Sequence, residues 1–194
     1  MIYFTADTHF GSEPVRVFNN RPFKNTKQMD RTIIKNWNKV AKNDDTIYHL
    51  GDFGNYDIVK KLRGKIILIS GNYEVKDASN FASFSDFRAH LISKGFFDVI
   101  DEKGTDISLP ELDANMIHLT HKPLDCNVNL FNLFGHVHIL SAVKEFGINV
   151  GIDCFHYRLA DIRELKVYKH AIESGTFDEN VYCSKEDLIK LNNA

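Results

Sequence analysis

Seven side chains in five short pieces of this chain have the chemistry of metal ligands: Asp7 and His9, Asp52, Asn72, His121, and His136 with His138. A mixed set of imidazole, carboxylate and carboxamide donors suits borderline divalent cations better than a hard all-oxygen site or a soft thiolate site does. In extended backbone, side chains two apart point the same way, so Asp7 and His9 can grip one ion together. His136 and His138 share that spacing, and Gly135 before them can bend the chain so that the pair divides between ions. Asp52 carries two oxygens and can bridge two cations, which an imidazole cannot do. Two divalent ions set against Asp7, Asp52 and one hydroxide leave a net positive site that attracts an anion. Ions about 3.5–4 Å apart clamp a phosphoryl group and lower the pKa of a water held between them. The reaction implied is hydrolysis of a phosphate ester by a metal-activated hydroxide.

Apolar runs lead into these pieces. Residues 2–6 run into Asp7, 46–50 into Asp52 and 65–69 into Asn72, while 115–119 and 129–134 lead to His121 and His136. Short runs rich in β-branched and aromatic residues, stopped by Gly or Asp, read as buried strands. In an open α/β sheet the ligand crevice lies beyond the carboxyl ends of the strands, so the five pieces converge on one edge. Between the runs, apolar spacing predicts a helix over 27–42, with Asn25 and Gln28 as its capping box. Shorter helices are expected over 57–63 and, stopped by Gly95, over 84–94. After Gly95 the texture changes to short runs at 96–100, 105–109, 115–120, 129–134, 148–153 and 164–168, a sheet built mostly of strands. Ser184 opens a final expected helix over 184–191.

Composition bounds the rest. The chain has 194 residues, 43% of them hydrophobic, and a net charge of −2, which suits one domain, 1–194, and excludes a disordered tail or a polycation that coats nucleic acid. Cys126, Cys154 and Cys183 are odd in number and widely spaced, which argues against a disulfide framework or a thiolate zinc site. No run of about 18 apolar residues and no basic leader with an apolar stretch is present, so a soluble cytoplasmic protein without membrane attachment is the expectation.

The ordered pieces D-x-H, GD, GN followed by an acid, a single H, and GHxH resemble the calcineurin-like metallophosphoesterase superfamily, over residues 2 to about 153. The opening, with Asn20-Arg21-Pro22-Phe23 and Tyr48-His49-Leu50-Gly51-Asp52-Phe53, is similar to a branch of small capless bacterial and phage members. The resemblance implies a four-layer α/β/β/α sandwich with two mixed β-sheets. It puts Asp7, His9, Asp52 and His138 around one ion and Asp52, Asn72, His121 and His136 around another, with Asp52 as the bridge. Two divalent ions are implied, Mn²⁺ first, with Fe²⁺, Zn²⁺ or Ni²⁺ as the other candidates.

One departure from the pattern bears on catalysis. Gly71-Asn72 is followed by Tyr73 and Glu74, where the family usually has a His that contacts phosphate and protonates the leaving group. A phenol, with an ordinary pKa near 10, is a poorer acid than imidazolium at neutral pH. Weak acid catalysis disfavours poor leaving groups, and losing a cation disfavours dianionic monoesters, so the expectation leans to a phosphodiesterase or nucleotide phosphohydrolase. Tyr73 is the tentative catalytic group, or else an aromatic lid on the core. Glu74 is expected to orient a neighbour of the ligands, and Arg21 to grip phosphate with its planar fork. His49, His90, His118, His156 and His170 match no motif position and read as core or surface residues.

The expected partner is a small phosphorylated or nucleotide substrate. A nucleic-acid substrate is allowed, but bulk charge lends it no support, and the expectation is that the chain has no basic stripe interleaved with aromatics, the footprint of strand binding. Two other functions compete with the enzyme: a binding scaffold with weakened catalysis, and a nuclease acting on short nucleic acid.

Overall fold

In the computed structural model, residues 1–140 and 142–176 are described. The expected helix at 184–191 and Cys183 lie outside them. Strands β1 (Ile2–Thr5), β2 (Thr46–His49), β3 (Lys65–Ile69) and β4 (Asp98–Ile100) run parallel, and β10 (Ala160–Asp161) pairs antiparallel with β1, giving the order β10-β1-β2-β3-β4. A second five-stranded sheet has the order β5-β6-β7-β9-β8, from β5 (Thr105–Leu109), β6 (Ala114–Leu119), β7 (Phe131–Phe134), β8 (Val143–Lys144) and β9 (Gly147–Asn149). It too is mixed: β6, β7 and β9 are parallel, while β5 and β8 are antiparallel to their neighbours.

Two apolar cores hold the layers. Helices α2 (Thr26–Val40) and α4 (Phe84–Lys94) send Met29, Ile33 and Trp37, and Phe87 and Leu91, against Ile47, Ile66 and Leu68 of the first sheet. The opposite face of that sheet, with Phe4, Leu50 and Ile69, meets Ile117, Leu119, Leu133 and Ile148 of the second. Helix α5 (Ile162–Glu173) adds Ile162 and Leu165 to this second core. The chain therefore forms the expected α/β sandwich with two mixed sheets.

Several elements differ from the sequence expectation. Residues 164–168 are not a strand but the middle of α5, which places Ile162, Leu165 and Ile172 on one helical face against the core. Residues 57–63 form a 3₁₀ turn, Tyr56–Lys61, rather than an α-helix. Two helices arise where no element was expected: α1 (Glu13–Phe18), capped by Ser12 with Pro14 in its first turn, and α3 (Asn72–Ala78). The cap of α2 is also modified. Asn25 accepts the Gln28 N–H at 2.9 Å as expected, but the Gln28 side chain reaches one residue further back, to the Lys24 N–H at 2.7 Å. Among the described residues no helix is long and apolar enough to cross a membrane.

Candidate metal centre

The loops after β1, β2, β3, β6 and β7 meet at one end of the sandwich. They are laced together by backbone hydrogen bonds: the Asp7 N–H donates to the Gly51 carbonyl and the His9 N–H to the Asp52 carbonyl, both at 3.0 Å, and the Gly135 N–H donates to the His121 carbonyl at 3.0 Å. Such close approach leaves no room for a side chain at two glycines. A Cβ on Gly51, whose φ is +89°, would stand 2.6 Å from His121 Nδ1, and one on Gly135 would stand 2.6 Å from Asp7 Oδ2.

Five of the seven candidate ligands sit in the left-handed backbone region: Asp7 at φ 58°, His9 at 47°, Asp52 at 58°, His136 at 72° and His138 at 47°. Each such conformation costs of order 1–3 kcal/mol and persists where the surroundings over-determine it, typically at functional sites. Here it turns successive donors inward at the ends of the strands.

Asp52 lies at the middle of the constellation. Its Oδ2 stands 3.5 Å from His9 Nε2 and 3.7 Å from His121 Nε2, while its Oδ1 accepts the Tyr73 N–H at 2.9 Å. Donor atoms of Asp7, His9 and His138 lie within 4.8 Å of one another, as do those of Asp7, Asp52 and His121. His136 Nδ1 is 3.2 Å from His121 Nε2 and 3.3 Å from the Asn72 amide, which brings the remaining two donors to the second group. All seven sequence candidates are thus gathered at one end of the sandwich; Asp7 belongs to both groups, and Asp52 Oδ2 stands near His9 of the first and His121 of the second.

Neighbours fix which ring nitrogen faces inward. His121 Nδ1 lies 2.8 Å from the Leu50 carbonyl, which can only accept, so the proton is on Nδ1 and Nε2, 3.2 Å from His136 Nδ1 and 3.7 Å from Asp52 Oδ2, keeps its lone pair. His138 Nδ1 likewise faces Asp153 Oδ2 at 2.7 Å, leaving Nε2 for the cleft. This carboxylate–imidazole pair is the arrangement that orients ligating histidines.

Arg21 occupies a different place from the one expected. It is buried, donates to both Asp153 oxygens at 2.8 and 2.7 Å, and donates to the Asp7 and Thr8 carbonyls at 2.7 and 3.0 Å. With its fork saturated it cannot contact phosphate; it holds Asp153 against His138 and clamps the backbone of the Asp7 loop.

Glu74 does orient the ligand loops. Its Oε2 accepts the Asp52 and Gly71 N–H groups at 2.8 and 2.9 Å, and its Oε1 the Phe53 N–H at 3.0 Å. The bond to Gly71 also starts α3, which carries Asn72 in its first turn. Tyr73 is not a lid on the core. Its side chain is 38% exposed, and its ring meets His9 edge-on with centroids 4.8 Å apart.

Three further residues escaped sequence reasoning. Asp153 was noted only as the end of an apolar run. His49 places Nε2 2.9 Å from the Thr8 hydroxyl, which itself donates to the Phe53 carbonyl at 2.9 Å, so a histidine read as core braces two ligand loops. Cys154 donates its thiol to the His138 carbonyl at 3.0 Å.

A direct test of fit comes from unpartnered atoms. Asp7 Oδ1 and both ring nitrogens of His9 are buried without a hydrogen-bond partner. Groups left in this state cost about 1–3 kcal/mol each, and a cation facing them removes that cost. In the metal-free chain, burial pushes the Asp7 carboxyl up to about 8, with Asp52 adding to the rise, while His138 opposes it. Burial, with Arg21 and two histidines behind it, drives His9 down to about 2, so its ring stays neutral and keeps a lone pair for coordination. The donor set fits a pair of borderline divalent ions.

Residues 1–152 match the model of the calcineurin-like phosphoesterase superfamily domain, and the chain belongs to that superfamily. The superfamily is named for phosphoesterase chemistry. An uncharacterized Methanocaldococcus jannaschii protein, MJ1445, is 37% identical over 81 residues, 38% of this chain and 46% of that protein, so the match spans less than half the relative's length. The crystal structure of AQ665 from Aquifex aeolicus, a protein of unknown function, superposes with a TM-score of 0.62 at 25% identity, covering 87% of this chain and 98% of that one.

The Asp153–His138 pair yields a test. Asp153→Asn keeps the size of the side chain but removes the charge that orients the imidazole, so metal affinity at that position should fall by about 10- to 100-fold. Calorimetric titration with Mn²⁺ reads this directly. Unchanged affinity would show that His138 needs no carboxylate behind it.

Proposed function

We propose that this chain is a two-metal phosphoesterase, working with Mn²⁺, that prefers phosphodiesters or nucleotide phosphoanhydrides to simple monoesters. The observation that supports the preference is Tyr73, standing half-exposed beside His9 where the family usually has a histidine. Asp7, His9, Asp52 and His138 would hold one ion, and Asp52, Asn72, His121 and His136 the other. Ions bound there supply Lewis-acid polarisation of the phosphoryl oxygens and acidify a water between them.

The chain's own residues set the rest. Leu50 and Asp153 keep His121 and His138 in the tautomers that face the cleft. Glu74 fixes the Asp52 loop through three backbone bonds. The Tyr73 hydroxyl can hydrogen-bond a leaving oxygen but delivers a proton to it poorly, so a leaving group that departs as a stable anion is favoured. The missing imidazolium also removes a cation that would favour a dianionic monoester over a monoanionic diester. A pure scaffold is disfavoured because all seven donors are present and converge.

The experiment is Mn²⁺-supplemented hydrolysis of a mono- and a diester sharing one aryl leaving group, by the wild type and Tyr73→His. The wild type should favour the diester. Tyr73→His should raise monoester turnover by about 10- to 100-fold, below the ~10²–10⁴ of a fully optimised acid. A wild type that cleaves the monoester far faster than the diester would overturn the preference.

A further inference from the structure

Helix α2 and its flanks are strongly basic. Residues 24–42 contain six cations, Lys24, Lys27, Arg31, Lys35, Lys39 and Lys42, and a single acid, Asp30, in a chain whose net charge is −2. All six cations are exposed. Asp30 is spoken for, accepting the Gly11 N–H at 3.0 Å. Among the described residues none of the six side chains forms an ion pair, although ion pairs are frequent elsewhere on the surface, as with Arg16–Glu13, Lys94–Asp57 and Arg88–Asp98.

The spacing is regular. Lys27, Arg31, Lys35 and Lys39 follow one another at four-residue intervals, so they form a ridge with a rise of about 6 Å per step. Like charges at i,i+4 destabilise a helix by about 0.2–0.5 kcal/mol per pair, so nothing in the folding of α2 favours this pattern. The same step is close to the distance between adjacent phosphates along a nucleic-acid strand. A shallow hollow of about 330 Å³ lies among Lys24, Lys27, Arg31 and Lys35.

The ridge leads to the metal centre. Helix α2 returns antiparallel to the strands it connects, so its N-terminal end lies at the sheet edge that carries the ligands, tied there by Asp30 and Gly11. Helix α1, which packs on α2, ends at Phe18, 89% exposed. The next residue, Asn19, places its amide 3.5 Å from His138 Nε2. A basic track, an exposed aromatic ring and a phosphate-cleaving centre in sequence are the footprint of a protein that binds single strands by backbone attraction and base stacking.

We propose that α2 is a docking track for a single-stranded nucleic acid, held by its phosphates along Lys27, Arg31, Lys35 and Lys39, with a base on Phe18 and a phosphodiester in the metal cleft. The cleavage half rests on the phosphodiesterase reading above; the binding half does not. An anionic membrane is the less favoured occupant. The residues between the cations on the ridge, Gln28 and Thr32, are polar, and Val40 at the far end is the one exposed large apolar side chain of α2. A bulk charge of −2 conceals the track, because acids elsewhere in the chain cancel it in the sum.

The test uses the full chain with chelator, so that binding is read without cleavage. Fluorescence anisotropy follows a labelled oligothymidylate at rising salt, for the wild type, the four-fold variant K27E/R31E/K35E/K39E, and Phe18→Ala. Wild-type affinity should fall with salt at a slope of about 0.7 per neutralised phosphate, near ~3 for four contacts. The four-fold variant should lose at least tenfold in affinity and most of that slope, and Phe18→Ala should weaken binding with the slope intact. In a separate assay with Mn²⁺ in place of chelator, hydrolysis of the small aryl diester should be the same in the wild type and the four-fold variant, because none of the four changed residues belongs to the metal centre. If that hydrolysis is absent even in the wild type, the phosphodiesterase reading fails while the binding result still stands. Equal affinity of wild type and four-fold variant would overturn the track. So would binding to phosphatidylserine vesicles, lost in the variant, with none to the oligonucleotide.

Discussion

Asp52→Asn should lower Mn²⁺-supported phosphodiester turnover by about 10³-fold or more, with little change in folding. The argument is geometric. Asp52 Oδ2 stands 3.5 Å from His9 Nε2 and 3.7 Å from His121 Nε2, one from each proposed ligand set, so on the reading proposed above its charge would be shared by both ions. Metal ions stabilise developing charge by several kcal/mol, and about 4 kcal/mol corresponds to three powers of ten in rate. The fold is spared because asparagine is the same size and its carbonyl can still accept the Tyr73 N–H that Asp52 Oδ1 accepts at 2.9 Å. Chemical denaturation should therefore change by less than about 1 kcal/mol, as for substitutions that leave no cavity and no unpaired donor. Bound Mn²⁺ should drop below two per chain. Full turnover in the variant would sink the two-metal centre. A wild type that binds two ions yet turns over no ester would instead favour the scaffold.

The ligands were legible because each obeys one rule, a polar residue at the end of a buried apolar run, and the strands bear that rule out. Asp153 obeys it as well, following Ile148, Val150 and Ile152, all buried. It was passed over because the motif pattern stops at His138. Arg21 shows a different limit. Nothing local announces that its fork is filled by a carboxylate 132 residues away and by two carbonyls of the Asp7 loop. In the same way α5 was misread because the window over 164–168 cut off Ile162 and Ile172, whose spacing with Leu165 is helical. Helix α3 is too short and polar to declare itself; it depends on Glu74 reaching back to Gly71, a contact that serves the metal loops as much as the helix. The expectation that the chain carries no basic stripe fails for α2: the helix over 27–42 was legible, but its register was read for the apolar face alone, and Lys27, Arg31, Lys35 and Lys39 lie at four-residue spacing on the exposed one.

Glu74→Ala should be the most damaging change to stability near the site. The carboxylate is fully buried and accepts three backbone N–H groups, from Gly71, Asp52 and Phe53. Truncation leaves all three without a partner, and at about 1–3 kcal/mol per buried orphan the loss is about 3 kcal/mol or more. Glu74→Gln keeps one acceptor oxygen but turns an amide N–H₂ toward the remaining donors, so it should fall between the two. The pH dependence separates charge from shape. Burial, aided by repulsion from Asp52, lifts the Glu74 carboxyl from 4.5 to about 7, and the three hydrogen bonds only partly oppose this. A group raised in this way contributes stability that is complete below its unfolded pKa and is lost as pH rises through the folded value. Metal-free wild type should therefore lose this contribution between about pH 4.5 and 7, and Glu74→Gln, which cannot ionise, should flatten that part of the profile. Denaturant midpoints for the three proteins across that range, with chelator present, measure both effects. A profile for Glu74→Gln as steep as that of the wild type would assign the pH dependence to another buried group, with Asp7, raised to about 8, first in line.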